Sequence, residues 1–114
     1  MQLFSSPTFA SAFARLATVD QQRVLRVLTK LCLLSPRHPS MQAHRLQARP
    51  NLWEIYISRR SLRLLIDQPR THQIRLWNVG GHQILEWARR TPATPSFLPL
   101  DLAQLAQVLE EVRR

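Results

Sequence analysis

The sequence predicts an α+β fold in which an N-terminal helical hairpin packs on a mainly antiparallel sheet of three or four strands, with an extra C-terminal helix. Apolar residues recur at helical spacing over residues 7–34 and 102–112, whereas residues 52–79 alternate between apolar and polar side chains. The 114 residues, 45% of them hydrophobic, fit one globular domain. We therefore expect neither a disordered chain nor an enzyme of several domains.

The first third of the chain predicts the helical hairpin. Residues 1–4 suggest a short strand, and Ser6-Pro7 then supplies the cap and first-turn proline that begin a helix. Asp20 is the expected cap of the second helix, and Ser35-Pro36 is expected to end it. The apolar stripe of the second helix comprises Val24, Val27, Leu28, Leu31 and Leu34.

Three runs in the middle of the chain predict an antiparallel meander, with strands at 52–58, 62–67 and 73–79 and turns at 59–61 and 68–71. A shorter strand is expected at 43–47. One face of this sheet is apolar, and the helical hairpin is expected to cover it. The other face, called the mixed face, carries Glu54, Tyr56, Arg63, Arg75 and Trp77. Two arginines and two aromatic rings on an exposed face suit RNA; the alternative is that a second helix lies on this face.

The last part of the chain is predicted to extend the domain of residues 1–90. Residues 82–90 favour a short helix after Gly80-Gly81. Residues 91–100 hold three prolines and are expected to form a linker. Asp101 is the expected cap of a final helix over 101–114, whose apolar stripe comprises Leu102, Leu105, Leu109 and Val112.

The charge predicts an anionic partner. Sixteen basic residues face seven acidic ones, which gives a net charge of +9, and only Lys30 is not an arginine. Arginine grips phosphate through two parallel hydrogen bonds, so this composition favours phosphate recognition. A GC-rich genome is an alternative source of the arginines, but it leaves the shortage of acidic residues unexplained.

Several classes of protein are excluded by what the sequence lacks. The two glycines, Gly80 and Gly81, do not form a phosphate-binding glycine loop, and the single Cys32 excludes internal disulfides. No cysteine and histidine set has zinc spacing, so no metal or cofactor is expected. No signal peptide or run of 18 apolar residues occurs, so we expect a cytoplasmic protein without a membrane partner.

Six short segments carry a resemblance to a known family; in order along the chain they are FARL at 13–16, LSPRHPS at 34–40, AHRLQ at 43–47, LWEIYIS at 52–58, LRLLID at 62–67 and IRLWNVGGHQILEWARR at 74–90. Together, over residues 1–90, they resemble the RelE/ParE superfamily of bacterial toxins. The resemblance to the RelE-like branch implies a toxin of a type II toxin–antitoxin system. It also implies an acidic antitoxin partner in a hetero-oligomer and cleavage of messenger RNA, usually at the ribosome. Two alternatives remain open: a ParE-like toxin that inhibits DNA gyrase without catalysis, and a non-toxic RNA-binding module.

Metal-independent RNA cleavage, which the RelE-like resemblance implies, needs a base, an acid and a cation at the phosphorus. Arg63 matches the central arginine of the family and is the candidate cation. His82 matches the terminal basic residue and is the candidate acid or base, because histidine titrates near neutrality; the alternative is that it caps the short helix. Glu54 is the candidate base or, alternatively, a salt-bridge partner of an arginine. The candidate RNA-binding residues are His44, Arg45, Tyr56, Arg75 and Trp77.

Overall fold

Four helices and six strands form the described part of the chain, which covers residues 1–58, 61–91 and 93–113 of a computed structural model. The helices are α1 Pro7–Ala14, α2 Thr18–Leu34, α3 Gln83–Arg90 and α4 Leu102–Arg113. The strands are β1 Gln2–Ser5, β2 His44–Arg45, β3 Trp53–Tyr56, β4 Arg63–Arg70, β5 Gln73–Gly80 and β6 Leu98–Leu100. None of the helices in these ranges is long and apolar enough to span a membrane.

The strands of the described residues form a single sheet in the order β2-β3-β4-β5-β1-β6. β1 runs parallel to β5, and every other neighbouring pair is antiparallel. The α+β class is therefore confirmed, but the predicted strand count was too low. β6 was missed because it lies in the proline-rich range 91–100, where a linker was expected. Pro99 is compatible with β6 because the strand lies at the edge of the sheet, where a missing N–H breaks no ladder.

The helix boundaries follow local hydrogen bonds. Ser6 caps α1 as predicted: its Oγ accepts from the backbone N–H of Phe9 at 3.0 Å and donates to the carbonyl of Trp77 at 2.7 Å. The prediction for Asp20 was wrong, because α2 begins at Thr18 and Asp20 lies in its first turn, paired with Arg23 at 3.1 Å.

Apolar side chains from the helices fill one face of the sheet and form the main core. Its members include Phe9, Phe13, Val24, Leu28, Leu31, Leu64, Ile66, Ile74 and Leu76. Leu109 of α4 also lies in this core and is 6% exposed. Asp101 caps α4 as predicted, since its Oδ1 accepts from the N–H of Gln104 at 3.1 Å. The side chain of Val112 lies outside the described residues, as do Arg59, Arg60 and Pro92 of the predicted turn and linker.

A second, smaller core covers part of the mixed face. It comprises Leu52, Leu65, Trp77, Ile84 and Ala88, of which the last two belong to α3. The alternative in which a second helix lies on this face is therefore correct for this region. Trp77 is 0% exposed, so the prediction of an exposed ring was wrong. The physical reason is that this part of the mixed face is covered: Ile84 and Ala88 of α3 lie in the same core as Trp77, and the Phe97 ring lies 5.8 Å from the Trp77 ring. A bulge also marks this point of the ladder, since Leu65 pairs with Asn78 and Ile66 with Leu76, which leaves Trp77 as the extra residue.

The β4–β5 hairpin is longer than predicted. β4 continues to Arg70, so Thr71 and His72 make the turn in place of the predicted 68–71. The register shifts between Asp67 and Arg70, around Pro69, which cannot donate to the ladder. The tip of the hairpin is consequently irregular.

Candidate functional site

Five of the predicted site residues meet on the mixed face, where α3 does not cover it; they are His44, Glu54, Tyr56, Arg63 and His82. Strand register brings them together. His44 of β2 lies opposite Glu54 of β3, and Tyr56 lies opposite Arg63 of β4. Side chains of directly opposed residues share a face of the sheet. Arg63 in turn lies opposite Gly80, two residues before His82.

Glu54 is the buried centre of this cluster and is 3% exposed. Its Oε1 accepts from Nε2 of His44 at 2.6 Å, and its Oε2 accepts from Nη1 of Arg63 at 3.3 Å. A buried carboxylate needs such partners, because charge without compensation is costly in the interior. The salt-bridge alternative for Glu54 is thus what the structure contains, with Arg63 as the partner.

Arg63 connects the carboxylate to His82. Its Nη1 lies 2.8 Å from Nδ1 of His82, and its guanidinium lies over the Tyr56 ring, 5.0 Å from the centroid. A guanidinium only donates, so Nδ1 of His82 accepts and the ring proton belongs to Nε2. The side chain of Arg63 is 16% exposed, and its Nε is buried without a hydrogen-bond partner among the described residues.

His82 occupies the cap position of α3, but its side chain makes no capping hydrogen bond. His82 is therefore the N-cap residue of α3, as the alternative predicted, but its imidazole ring takes no part in capping. The backbone after Gly80-Gly81 turns into α3 and leaves the exposed ring at the end of the sheet, against Arg63.

His44 is hydrogen-bonded in the opposite sense to His82. Its Nε2 donates to the carboxylate of Glu54, and its Nδ1 lies 3.4 Å from the carbonyl oxygen of Gln42, which can only accept. The side chain is 48% exposed. Both ring nitrogens of His44 thus face acceptors, whereas Nδ1 of His82 faces a donor.

The remaining predicted residues lie elsewhere. Trp77 is buried in the second core. Arg75 pairs with Asp67, and this hydrogen bond raises the pKa of Arg75 above its ordinary value. Asp67 lies four residues along β4 from Arg63, about 13 Å away at the usual rise per strand residue. Arg45 stacks on Trp53, 4.3 Å from the ring centroid, and donates to the carbonyl of Pro50 at 2.6 Å.

Space for a ligand lies beside His82. A pocket of about 350 Å³ opens between the segment after β2 and the first turns of α3, and its lining includes Leu46, Gln47, His82, Gln83 and Leu85. Sequence analysis missed this pocket because no local pattern signals it: residues 46–48 and α3 come together only in the folded chain.

The comparisons agree with the fold. No protein-family model matches the chain, and no curated protein sequence matches it. Among solved structures, the crystal structure of YafQ from E. coli matches with a TM-score of 0.59 and 17% identity, covering 73% of this chain and 94% of YafQ. A copper-bound point mutant of a toxin from Helicobacter pylori matches with a TM-score of 0.59 and 22% identity, covering 75% of this chain and 98% of the toxin. The solution structure of HP0894, from the same bacterium, gives a TM-score of 0.51 at 21% identity, over 73% of this chain and 96% of HP0894.

The chain has the RelE-like toxin fold. The resemblance drawn from the six sequence segments is thereby confirmed at the level of the fold.

Proposed function

We propose that this protein is the toxin of a toxin–antitoxin pair and that it cleaves RNA without a metal ion at the cluster around Arg63. The observation that carries the proposal is the 2.8 Å contact between Arg63 and His82, with Nε2 of His44 donating to Glu54 beside it. The cluster thus supplies a cation, a proton donor and a proton acceptor on one surface.

In the proposed reaction, the 2′-hydroxyl of RNA attacks the adjacent phosphorus and the bond to the 5′ oxygen of the next nucleotide breaks. The products are a 2′,3′-cyclic phosphate and a free 5′-hydroxyl. A base takes the 2′ proton, and an acid protonates the leaving 5′ oxygen, each contributing about 10²–10⁴-fold. A fixed cation stabilises the phosphorane, in which negative charge builds up.

His82 is the proposed acid. Arg63 occupies Nδ1, so the proton of the neutral ring is on Nε2 and the ring is exposed. The pocket beside His82 gives the leaving nucleotide a place to lie against this ring.

His44 takes the role of base in place of Glu54. Both oxygens of Glu54 are engaged and the residue is buried, so its carboxylate positions other groups. By accepting from Nε2 of His44 it holds the tautomer in which Nδ1 carries the lone pair, as the carboxylate does in a Ser-His-Asp triad. The carbonyl of Gln42 can only accept, so it stabilises the Nδ1–H that forms when His44 takes the 2′ proton.

Arg63 is the proposed cation. It lies on a central strand, with its Nη1 bonded on two sides and its guanidinium over Tyr56. Such a fixed guanidinium stabilises developing charge without reorganising.

An acidic antitoxin is the proposed regulatory partner, in a hetero-oligomer. The net charge of +9 favours association with an acidic chain as well as with RNA. Messenger RNA, at the ribosome or free, is the proposed substrate, which places the protein in the cytoplasm.

The test is cleavage of labelled RNA in the presence of EDTA, with the products analysed for cyclic phosphate ends. Arg63→Ala and His82→Ala should each lower the rate by about 10²-fold or more. The matched controls are Arg23→Ala and His72→Ala, which remove an exposed arginine and an exposed histidine away from the cluster. Cleavage that requires added metal, or equal rates in site variants and controls, would contradict the proposal. Growth arrest would favour the gyrase alternative if the purified protein cleaves no RNA, either alone or with ribosomes added.

A further inference from the structure

A groove lined by arginines surrounds the irregular tip of the β4–β5 hairpin. Three adjoining pockets of about 310, 390 and 550 Å³ meet at Pro69, and together they form what we call the tip groove. Its charged lining residues are Arg37, Arg45, Asp67, Arg70 and Arg75. Arg63 and Arg70 lie at opposite ends of β4, so the Arg70 end of the groove is roughly 20 Å from Arg63. The other end adjoins the cluster, because Arg45 directly follows His44.

The tip groove has an excess of positive charge. Four arginines face one carboxylate, and that carboxylate, Asp67, is already paired with Arg75. Among the described residues, the ion pairs do not involve Arg37, Arg45 or Arg70. The other polar groups of the lining are amides and hydroxyls, which donate hydrogen bonds as readily as they accept them; they include Asn51, Gln68 and Thr71.

Two aromatic rings of the groove are covered by guanidinium groups. Arg45 lies over Trp53 at 4.3 Å, and Arg75 lies over Phe97 at 4.7 Å from the ring centroid. Guanidiniums held in this way are positioned for an anion, while the faces they cover are closed to stacking by a base. A ligand of this groove is therefore recognised by its charge and not by its bases.

We propose that the tip groove binds the phosphate backbone of RNA, independently of sequence, beyond the cleavage site. Arginine forks match phosphate oxygens, and amide and hydroxyl donors complete such contacts. An acidic protein segment fits less well, because peptides in grooves are anchored by apolar side chains, and the pockets of about 310 and 390 Å³ have mainly polar linings. The proposal extends the RNA substrate to a second surface and thus rests on the proposed function.

The test measures the salt dependence of binding to a labelled single-stranded RNA of 20 or more nucleotides. Arg37→Gln/Arg70→Gln removes two exposed charges from the groove. Arg15→Gln/Arg26→Gln removes two exposed arginines of the helical hairpin and is the matched control. Each phosphate contact contributes about 0.7 to the slope of log affinity against log salt on a single strand, so the groove variant should reduce the slope by about 1.4. The control should leave it unchanged.

Cleavage of a trinucleotide, which is too short to reach from the cluster to Arg70 at the far end of the groove, separates this inference from the proposed function. If Arg37→Gln/Arg70→Gln cleaves the trinucleotide normally and has a reduced salt slope, both the tip groove and the proposed ribonuclease function are supported. Normal cleavage with an unchanged slope, or with equal losses in both double variants, overturns the tip groove alone. A reduced slope without any cleavage by the unmodified protein supports the groove and contradicts the ribonuclease. Loss of binding to an acidic peptide, with RNA binding intact, would assign the groove to a protein partner and overturn the inference.

Discussion

Replacing Glu54 with glutamine should lower both stability and catalysis, and the two effects can be separated. Glutamine keeps the shape of the side chain, but its NH₂ must face one of the two donors that the carboxylate now accepts. Breaking a buried ion pair costs about 3–5 kcal/mol, and hydrogen bonds to charged groups contribute about 1.5–3 kcal/mol. Because His44 is half exposed, the range for hydrogen bonds to charged groups applies, and we expect the free energy of unfolding to fall by about 2–3 kcal/mol.

The loss of stability is measured by thermal unfolding. For a domain of 114 residues, 1 kcal/mol corresponds to about 4 °C, so the Glu54→Gln variant should melt roughly 8–12 °C lower. The same variant should lower kcat for RNA cleavage by about 10²-fold, because His44 loses the partner that holds its tautomer.

Leu109→Ala is the control for destabilisation by itself. Leu109 is buried in the main core on α4 and does not contact the cluster, and its truncation should cost about 2–5 kcal/mol. At a temperature where both variants are folded, Leu109→Ala should retain normal kcat and Glu54→Gln should not. If both lose activity in proportion to their melting temperatures, Glu54 has no positioning role and the reasoning is refuted.

Three further predictions concern the scaffold. Ser6→Ala should cost about 1–2 kcal/mol in a denaturant titration, because Ser6 both caps α1 and donates to the Trp77 carbonyl; a neutral effect would contradict this. Burial raises the pKa of the Cys32 thiol above its ordinary value, so less thiolate is present at pH 8 and alkylation should be slower than that of an unfolded control peptide; equal rates would be the contrary result. Deleting residues 98–114 should broaden or abolish the thermal transition, since it removes Leu109 from the core and β6 from the sheet; a sharp transition at the original temperature would show that this segment is dispensable.

The residues of the cluster could be predicted because two independent signals coincide at them. Period-two alternation assigns Glu54, Tyr56 and Arg63 to one face, and antiparallel pairing of neighbouring strands then places them together. His82 follows from the resemblance and from the two glycines that precede it. What sequence could not supply is the direction of each hydrogen bond: Glu54 accepts from both His44 and Arg63, and Nδ1 of His82 accepts from Arg63.

The misplaced residues depend on tertiary packing. Alternation correctly assigns Trp77 to the mixed face, but the ring is buried because α3 packs there, and no local pattern reveals that packing. The bulge at Trp77 and the irregular step around Pro69 also interrupt the ladder that alternation assumes. Arg37, at the end of α2, could not be assigned to the tip groove because it meets β4 only through the tertiary fold.

The position of β1 between β5 and β6 has a consequence for synthesis on the ribosome. β1 is made first, but its parallel partner follows only after most of the chain, since Phe4 pairs with Arg75. At about 5–20 residues per second, these roughly 70 intervening residues take about 4–14 s to translate. During that interval the first strand has neither neighbour, and His82, made later still, has not yet joined Arg63. The cluster is therefore absent while residues 1–81 are made, and it assembles only after His82 has been added.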